Sequence, residues 1–154
     1  MSDPFPFPST SPHIGLPLLI AGQAQKEFFV NQALSILDAL DRRAVVASLA
    51  SPPIDASDGD CYRVTASATQ QWAGKEDQLA IRVAGAWHFV PPRQGMRMFD
   101  SNADQCLFYQ AGWRIAASPV VPTAGTVIDL EARAALGQLI QTLRETGILG
   151  AATG

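Results

Sequence analysis

The sequence predicts an α+β fold, mainly β. The expected architecture is a small antiparallel β-meander or barrel with two Trp hairpins, an N-terminal arm and helix, and a C-terminal oligomerisation helix. Three observations carry this. The segment Ile81-Arg82-Val83-Ala84-Gly85-Ala86-Trp87-His88-Phe89 lines up without a gap on Leu107-Phe108-Tyr109-Gln110-Ala111-Gly112-Trp113-Arg114-Ile115. Each copy reads as a strand, a turn around Gly and a second strand opened by Trp. Short β-prone runs separated by frequent turn residues fill residues 45–117, the pattern of a compact β-structure. A stretch with apolar residues at three- and four-residue spacing flanks this region on each side, which marks amphipathic helices.

Residues 1–22 read as an extended arm. Pro4, Pro6, Pro8, Pro12 and Pro17 fix φ and remove backbone donors. The arm also carries Phe5, Phe7, Ile14 and Leu16, more apolar surface than a solvated tail would hold. These four are the candidate arm contacts, and the surface beneath them is either the chain's own domain or a neighbouring subunit.

Residues 23–44 read as a helix packing on the β-domain. Val30, Ala33, Leu34, Leu37 and Leu40 make its apolar face, and Asn31 is either an N-cap or an internal position of a longer helix. Val45 to Leu49 then reads as a strand, stopped by Ser51-Pro52-Pro53, and Asp58-Gly59-Asp60 as a turn. Cys61–Val64, Leu79–Val83, Trp87–Val90, Met96–Phe99, Cys106–Tyr109 and Trp113–Ala116 are the further expected strands.

Residues 118–126, with Pro119 and Pro122, form a linker, and 127–147 a second helix. Thr126 with Asp129 resembles a shortened capping box, and Gly147 suits the position after the helix end. Ala132, Leu136, Leu139 and Leu143 follow a 4-3-4 spacing, widened by Ile140. This stripe is the candidate oligomer interface, packing as a short coiled coil or bundle.

Charged residues make up 16% of the 154-residue chain, against about 25% in ordinary soluble domains. A surface so poor in charge is easiest to tolerate where other chains cover part of it. The net charge of −3 supplies no basic field for nucleic acid. The apolar run Ile14–Ala21 is interrupted by Gly15 and Pro17 and is too short to span a bilayer, so no membrane insertion is expected. The first residues lack the basic and apolar regions of a signal peptide.

No pattern suggests catalysis, a cofactor or a metal. His13 and His88 stand apart from any Cys or carboxylate cluster, and Asp58, Asp60, Asp100 and Asp104 occupy turn positions. Cys61 and Cys106 read as free thiols in strands. The remaining chemistry lies in Tyr62, Trp72, Trp87, Tyr109 and Trp113. Such rings either fill a core or stack on sugar rings, and all five are candidate glycan-stacking residues.

One family likeness runs through the chain. Ile14-Gly15-Leu16-Pro17, Gly22-Gln23-Ala24-Gln25-Lys26-Glu27, Asn31-Gln32-Ala33-Leu34 and Leu37-Asp38 open it. Pro52-Pro53, Gly59-Asp60-Cys61-Tyr62-Arg63-Val64, Trp72-Ala73-Gly74, Gly85-Ala86-Trp87-His88-Phe89, Pro92-Arg93-Gln94-Gly95 and Gly112-Trp113 continue it over roughly residues 14–116. The whole resembles an uncharacterised alphaproteobacterial domain family found in phage, prophage and gene-transfer-agent tail-region (tail fibre) proteins. The chain departs from that pattern at Met96 and Phe99, where Trp is frequent.

The resemblance implies a virion context and brings no catalytic residues. The expected function is therefore a non-enzymatic virion structural protein, a tail-fibre or baseplate-associated subunit. It would be made in the bacterial cytoplasm, assemble as a homo-oligomer with a trimer favoured, and meet other tail proteins and host surface polysaccharide. The alternative is a carbohydrate-binding module contacting host glycans through exposed aromatics. A glycan hydrolase lacks a convincing acid pair.

Overall fold

A computed structural model describes residues 9–22, 26–116, 119, 129–146 and 148–149. Two compact units make up the chain, Met1–Pro92 and Arg93–Gly154. The boundary falls inside the segment expected to be one β-domain, at the Pro91-Pro92 pair that stops the first Trp hairpin. The α+β, mainly β class holds, with eight strands and two helices among the described residues. The strands do not close into a barrel, and the pairing is not wholly antiparallel.

The first unit contains helix α1 (Lys26–Asp41) and strands β1 (Ala44–Val45), β2 (Ser48–Leu49), β3 (Cys61–Val64), β4 (Leu79–Val83) and β5 (Ala86–Val90). The single strand expected over Val45–Leu49 is thus two short ones. Strands β2, β3, β4 and β5 lie side by side in that order. The β2–β3 pair is parallel, with Ser48 opposite Arg63, and the other two pairs are antiparallel. At the β4–β5 turn, Val83 faces Ala86, and Ala84 and Gly85 adopt φ of +49° and +74°. Two central residues with positive φ make the primed turn that matches the twist of a two-residue hairpin.

The core of this unit is built from Ala47, Tyr62, Val64, Trp72 and Ala80, with Val46, Leu49, Trp87 and Phe89 packed against it. Trp72 enters from a 3-10 turn, Gln70–Trp72, and is 0% exposed.

The second unit contains β6 (Arg97–Asp100), β7 (Gln105–Tyr109), β8 (Trp113–Ile115) and helix α2 (Leu130–Glu145). Antiparallel pairing joins β6 to β7 and β7 to β8. The Asp100 carboxylate accepts the amides of Asn102 and Ala103, which shapes the β6–β7 turn. The two Trp hairpins are not equivalent. In the second, Tyr109 faces Trp113 across a three-residue loop, so Trp113 opens its strand, whereas Trp87 is second in its own.

Helix α2 starts at an N-cap, Asp129, whose carboxylate accepts the Ala132 amide at 2.9 Å. That is three residues later than the expected capping position, and Thr126 lies outside the described residues. At the other end the Ile148 amide donates to the Leu143 carbonyl at 2.9 Å, the long-range bond of a Schellman ending. The expected linker, apart from Pro119, and Gly147 also lie outside the described residues.

Candidate functional site

The arm is the first feature to place. Ser11 donates its amide to the Leu16 carbonyl and Leu18 to that of Ser9, closing residues 9–18 into a loop with Thr10 bridged to Pro17. The Leu16 amide is taken by the Ser11 hydroxyl. The amides of His13 and Ile14 both donate to Asp38, at 2.9 and 2.8 Å. The Leu19 amide donates to the Asn31 side-chain oxygen, whose amide nitrogen donates back to the Leu19 carbonyl. The Gly22 amide donates to Glu27 Oε1. Prolines 12 and 17 have no amide to satisfy, so side chains of α1 complete the backbone accounting that a segment without a strand partner requires.

Of the two surfaces open to the arm, residues 9–22 thus use their own unit. The holding groups are not the predicted ones. Ile14 is exposed and Leu16 half-buried, so the contact runs through backbone amides, while Phe5 and Phe7 lie outside the described residues. Asn31 is neither an N-cap nor idle. The helix face turned to the arm is polar, with Glu27 and Asp38 buried, while Val30 and Leu37 of the predicted apolar stripe are exposed.

Asp38 is fully buried. Burial by itself raises a carboxyl pKa, but here the Ile14 and His13 amides, the Ser11 hydroxyl and the charge of His13 outweigh it and hold Asp38 below its ordinary value. A second clasp lies on the far side of the arm, where His13 Nε2 donates to the Gly59 carbonyl at 2.8 Å. Gly59 has φ of +94°, and a Cβ placed there would stand 2.8 Å from the Pro12 ring. Only glycine lets the turn approach the arm this closely.

Between arm, α1 and the β4–β5 hairpin lies a groove of about 540 Å³, lined among others by Leu18, Leu19, Glu27, Phe28, Arg82 and His88. Several of its polar groups are engaged. Gln32 donates to His88 Nδ1 at 3.0 Å, Asp58 accepts the Gly85 amide, and Arg82 lies over the Trp87 ring at 5.1 Å. The Glu27 Oε2 is buried without a hydrogen-bond partner. The aromatic Phe28 beside it is 69% exposed.

The five candidate stacking residues divide. Tyr62, Trp72 and Trp87 pack on one another with ring centroids 5.1–5.9 Å apart. Tyr62 and Trp72 are buried, so neither presents a face to a sugar, and both candidacies are corrected to core. Trp87 is half-buried and offers one side to Arg82. In the second unit Tyr109 and Trp113, both half-buried, meet edge to face at 5.3 Å. Burial has also pushed the Cys61 thiol up to about 12, whereas Cys106 is exposed.

The candidate oligomer stripe is partly covered within the single chain. Ile140 is 7% exposed, and Leu143 is half-buried. Arg133, Gly137 and Arg144, also half-buried, share the Ile140 side of the helix, since steps of about 100° place i, i+4, i+7 and i+11 together. The covered face is therefore displaced by one residue from the predicted stripe. Ala132, Leu136 and Leu139 stay exposed, the two leucines at 48% and 54%. Ile140 is accordingly removed from the candidate interface.

A family model of proteins of unknown function, DUF2793, matches residues 30–114. The chain belongs to DUF2793. The DUF2793 region runs from the second turn of α1 into β8 and so contains the arm's sockets Asn31, Asp38 and Gly59, but neither the arm nor α2. No curated protein is detectably similar in sequence to the chain. Among the described residues no group of three or more His, Cys, Asp or Glu side chains is placed to hold a metal ion, and no helix is long and apolar enough to cross a membrane.

Proposed function

We propose that this DUF2793 protein is a non-enzymatic structural subunit of a phage-type or gene-transfer-agent tail. In this reading it belongs to the fibre or baseplate region, and self-assembles, as a trimer, through the exposed side of α2. The observation that carries the reading is the pair Leu136 and Leu139, exposed at 48% and 54% beside the face of the helix that Ile140 covers. A capped helix with large aliphatic residues facing water is stabilised when copies bundle those residues together. The low charge content points the same way. The family likeness supplies the virion context, with other tail proteins and host surface polysaccharide as the further partners.

The test of the virion assignment is a particle preparation from a producing bacterium, separated by density and examined by mass spectrometry. The chain is expected to co-purify with tail proteins at a fixed ratio. Its recovery only in the soluble cell fraction would contradict the assignment.

A second reading has one observation in its favour. The Tyr109–Trp113 pair is half-exposed on the hairpin of the second unit, where rings of this kind stack on pyranoses. Binding to a glycan array that disappears in Trp113→Ala, with the fold retained, would establish it. Unchanged binding in that variant would remove the pair from the reading.

A further inference from the structure

The groove of the first unit begins where the described chain begins. Thr10 and Leu18 both stand in its wall, and they belong to the two legs of the arm's loop. Thr10 is bridged antiparallel to Pro17, and the Ser9 carbonyl accepts the Leu18 amide at 3.1 Å. Carried back from Ser9, the course set by these two pairs leads along the return leg. It would bring Pro8 level with Leu19, Phe7 with Ile20 and Phe5 with Gly22. Leu19 and Ala21 of that leg are themselves groove wall. Asn31 holds Leu19 and Glu27 holds Gly22, so the level of Ile20 is that of Phe28 on α1.

The walls are mainly apolar, through Leu18, Leu19, Ala21, Val83 and the exposed Phe28. Such a groove disfavours an ordinary peptide, whose amides would leave water without gaining acceptors. Pro4-Phe5-Pro6-Phe7-Pro8 escapes most of that cost, since every second residue lacks an amide and none is charged. Prolines also hold a segment near polyproline geometry before it docks, which lowers the entropy lost, and apolar grooves with aromatic walls take such segments. That geometry repeats every three residues, so Phe7 falls on the side of Thr10, a groove residue.

We propose that the groove is the seat of the chain's own N-terminal segment. Phe7 packs between Leu19 and Phe28, and the flanking prolines lie along the return leg of the arm. The segment thereby extends the arm clasp to the start of α1 and closes the groove to other ligands. This inference rests neither on the proposed virion role nor on self-assembly through α2.

The test places a nitroxide at Asp3→Cys in the full chain. Cys106→Ala removes the exposed native thiol, and Cys61 is buried. Heteronuclear NMR should show strong paramagnetic broadening at the amides of Glu27, Phe28 and Asn31. Leu40, about 20 Å further along the helix, should be broadened far less. Adding Phe7→Ala should lower the ratio of docked to free segment about tenfold, the loss of one buried ring, and weaken the broadening on α1. Unchanged strand signals verify that this variant keeps its fold. A second sample is refolded from equal parts of isotope-labelled chain without nitroxide and nitroxide-bearing chain of natural isotope content. It should show no broadening on α1, and broadening there would put the segment in the groove of another copy and overturn the proposal. No broadening on α1 in either sample, or broadening indifferent to Phe7→Ala, would overturn it equally.

Discussion

The carboxylate of Asp38 holds the backbone amide of His13 at 2.9 Å, across 25 residues of sequence. The same carboxylate, on a side chain with no exposed surface, also holds Ile14. The arm is thereby part of the fold of the first unit. Replacing Asp38 with Asn leaves one acceptor where there were two and strands at least one amide. Stability should fall by about 1–3 kcal/mol, the cost of an unsatisfied buried donor. Urea denaturation measures the loss, and hydrogen exchange should localise it to the amides of His13 and Ile14.

Acid should release the same clasp. Asp38 titrates below its ordinary value in the folded chain, so the unfolded state takes up the proton first as pH falls. The stabilisation is complete above the unfolded carboxyl value of about 4 and is lost as pH drops through the lower folded value. Thermal melts at a series of pH values should show a loss below about pH 4 that is absent in Asp38→Asn.

Gly59 tests the other side of the arm. An alanine Cβ would stand 2.8 Å from the Pro12 ring, on a backbone with φ of +94°. Gly59→Ala should cost about 1–3 kcal/mol from backbone strain alone and loosen the arm as well. Faster limited proteolysis between residues 9 and 22 would report this, and unchanged proteolysis would show that the arm does not rest on Gly59.

The three tryptophans should not respond alike. Trp72 has no exposed surface and anchors the ring cluster of the first unit. Trp72→Ala should cost about 3–5 kcal/mol, enough to unfold a domain of ordinary stability. Trp113→Ala, at a half-exposed ring in contact with Tyr109, should cost clearly less. Denaturation of both variants checks the order.

The cysteines give a simple chemical check. Cys61 is buried, with its thiol pushed up to about 12, while Cys106 is exposed. A thiol reagent at neutral pH should modify Cys106 in the native chain and reach Cys61 only after denaturant is added, because the thiolate is the reactive form. Mass spectrometry of the labelled peptides decides it.

Much of this fold was legible in the sequence, and the reasons differ by element. Leu79–Val83 and its partner strand were readable because Gly85 separates two β-prone runs. Helix α1 was placed correctly, but its inward face was misread. Apolar periodicity pointed to Val30 and Leu37, whereas the arm is met by Glu27, Asn31 and Asp38. Those three are spaced by four and seven and so share one face. The missed signal was this row of acceptors, since an arm with no strand partner needs acceptors for its amides.

The core role of Trp72 and Tyr62 could not be separated from sugar stacking, because composition gives a ring its chemistry but not its neighbours. Helix α2 covers Ile140 and half-covers Leu143 of its apolar stripe and leaves Leu136 and Leu139 exposed. Its covered side is set by what Ile140 packs against, and that is a tertiary fact one residue out of register with the apolar spacing.

The solution mass of the full chain tests self-assembly through Leu136 and Leu139 most directly. Light scattering during size exclusion should give three times the 16.4 kDa chain mass, and Leu136→Glu with Leu139→Glu should return it to one. A single-chain mass for the unaltered protein at every concentration would contradict the account.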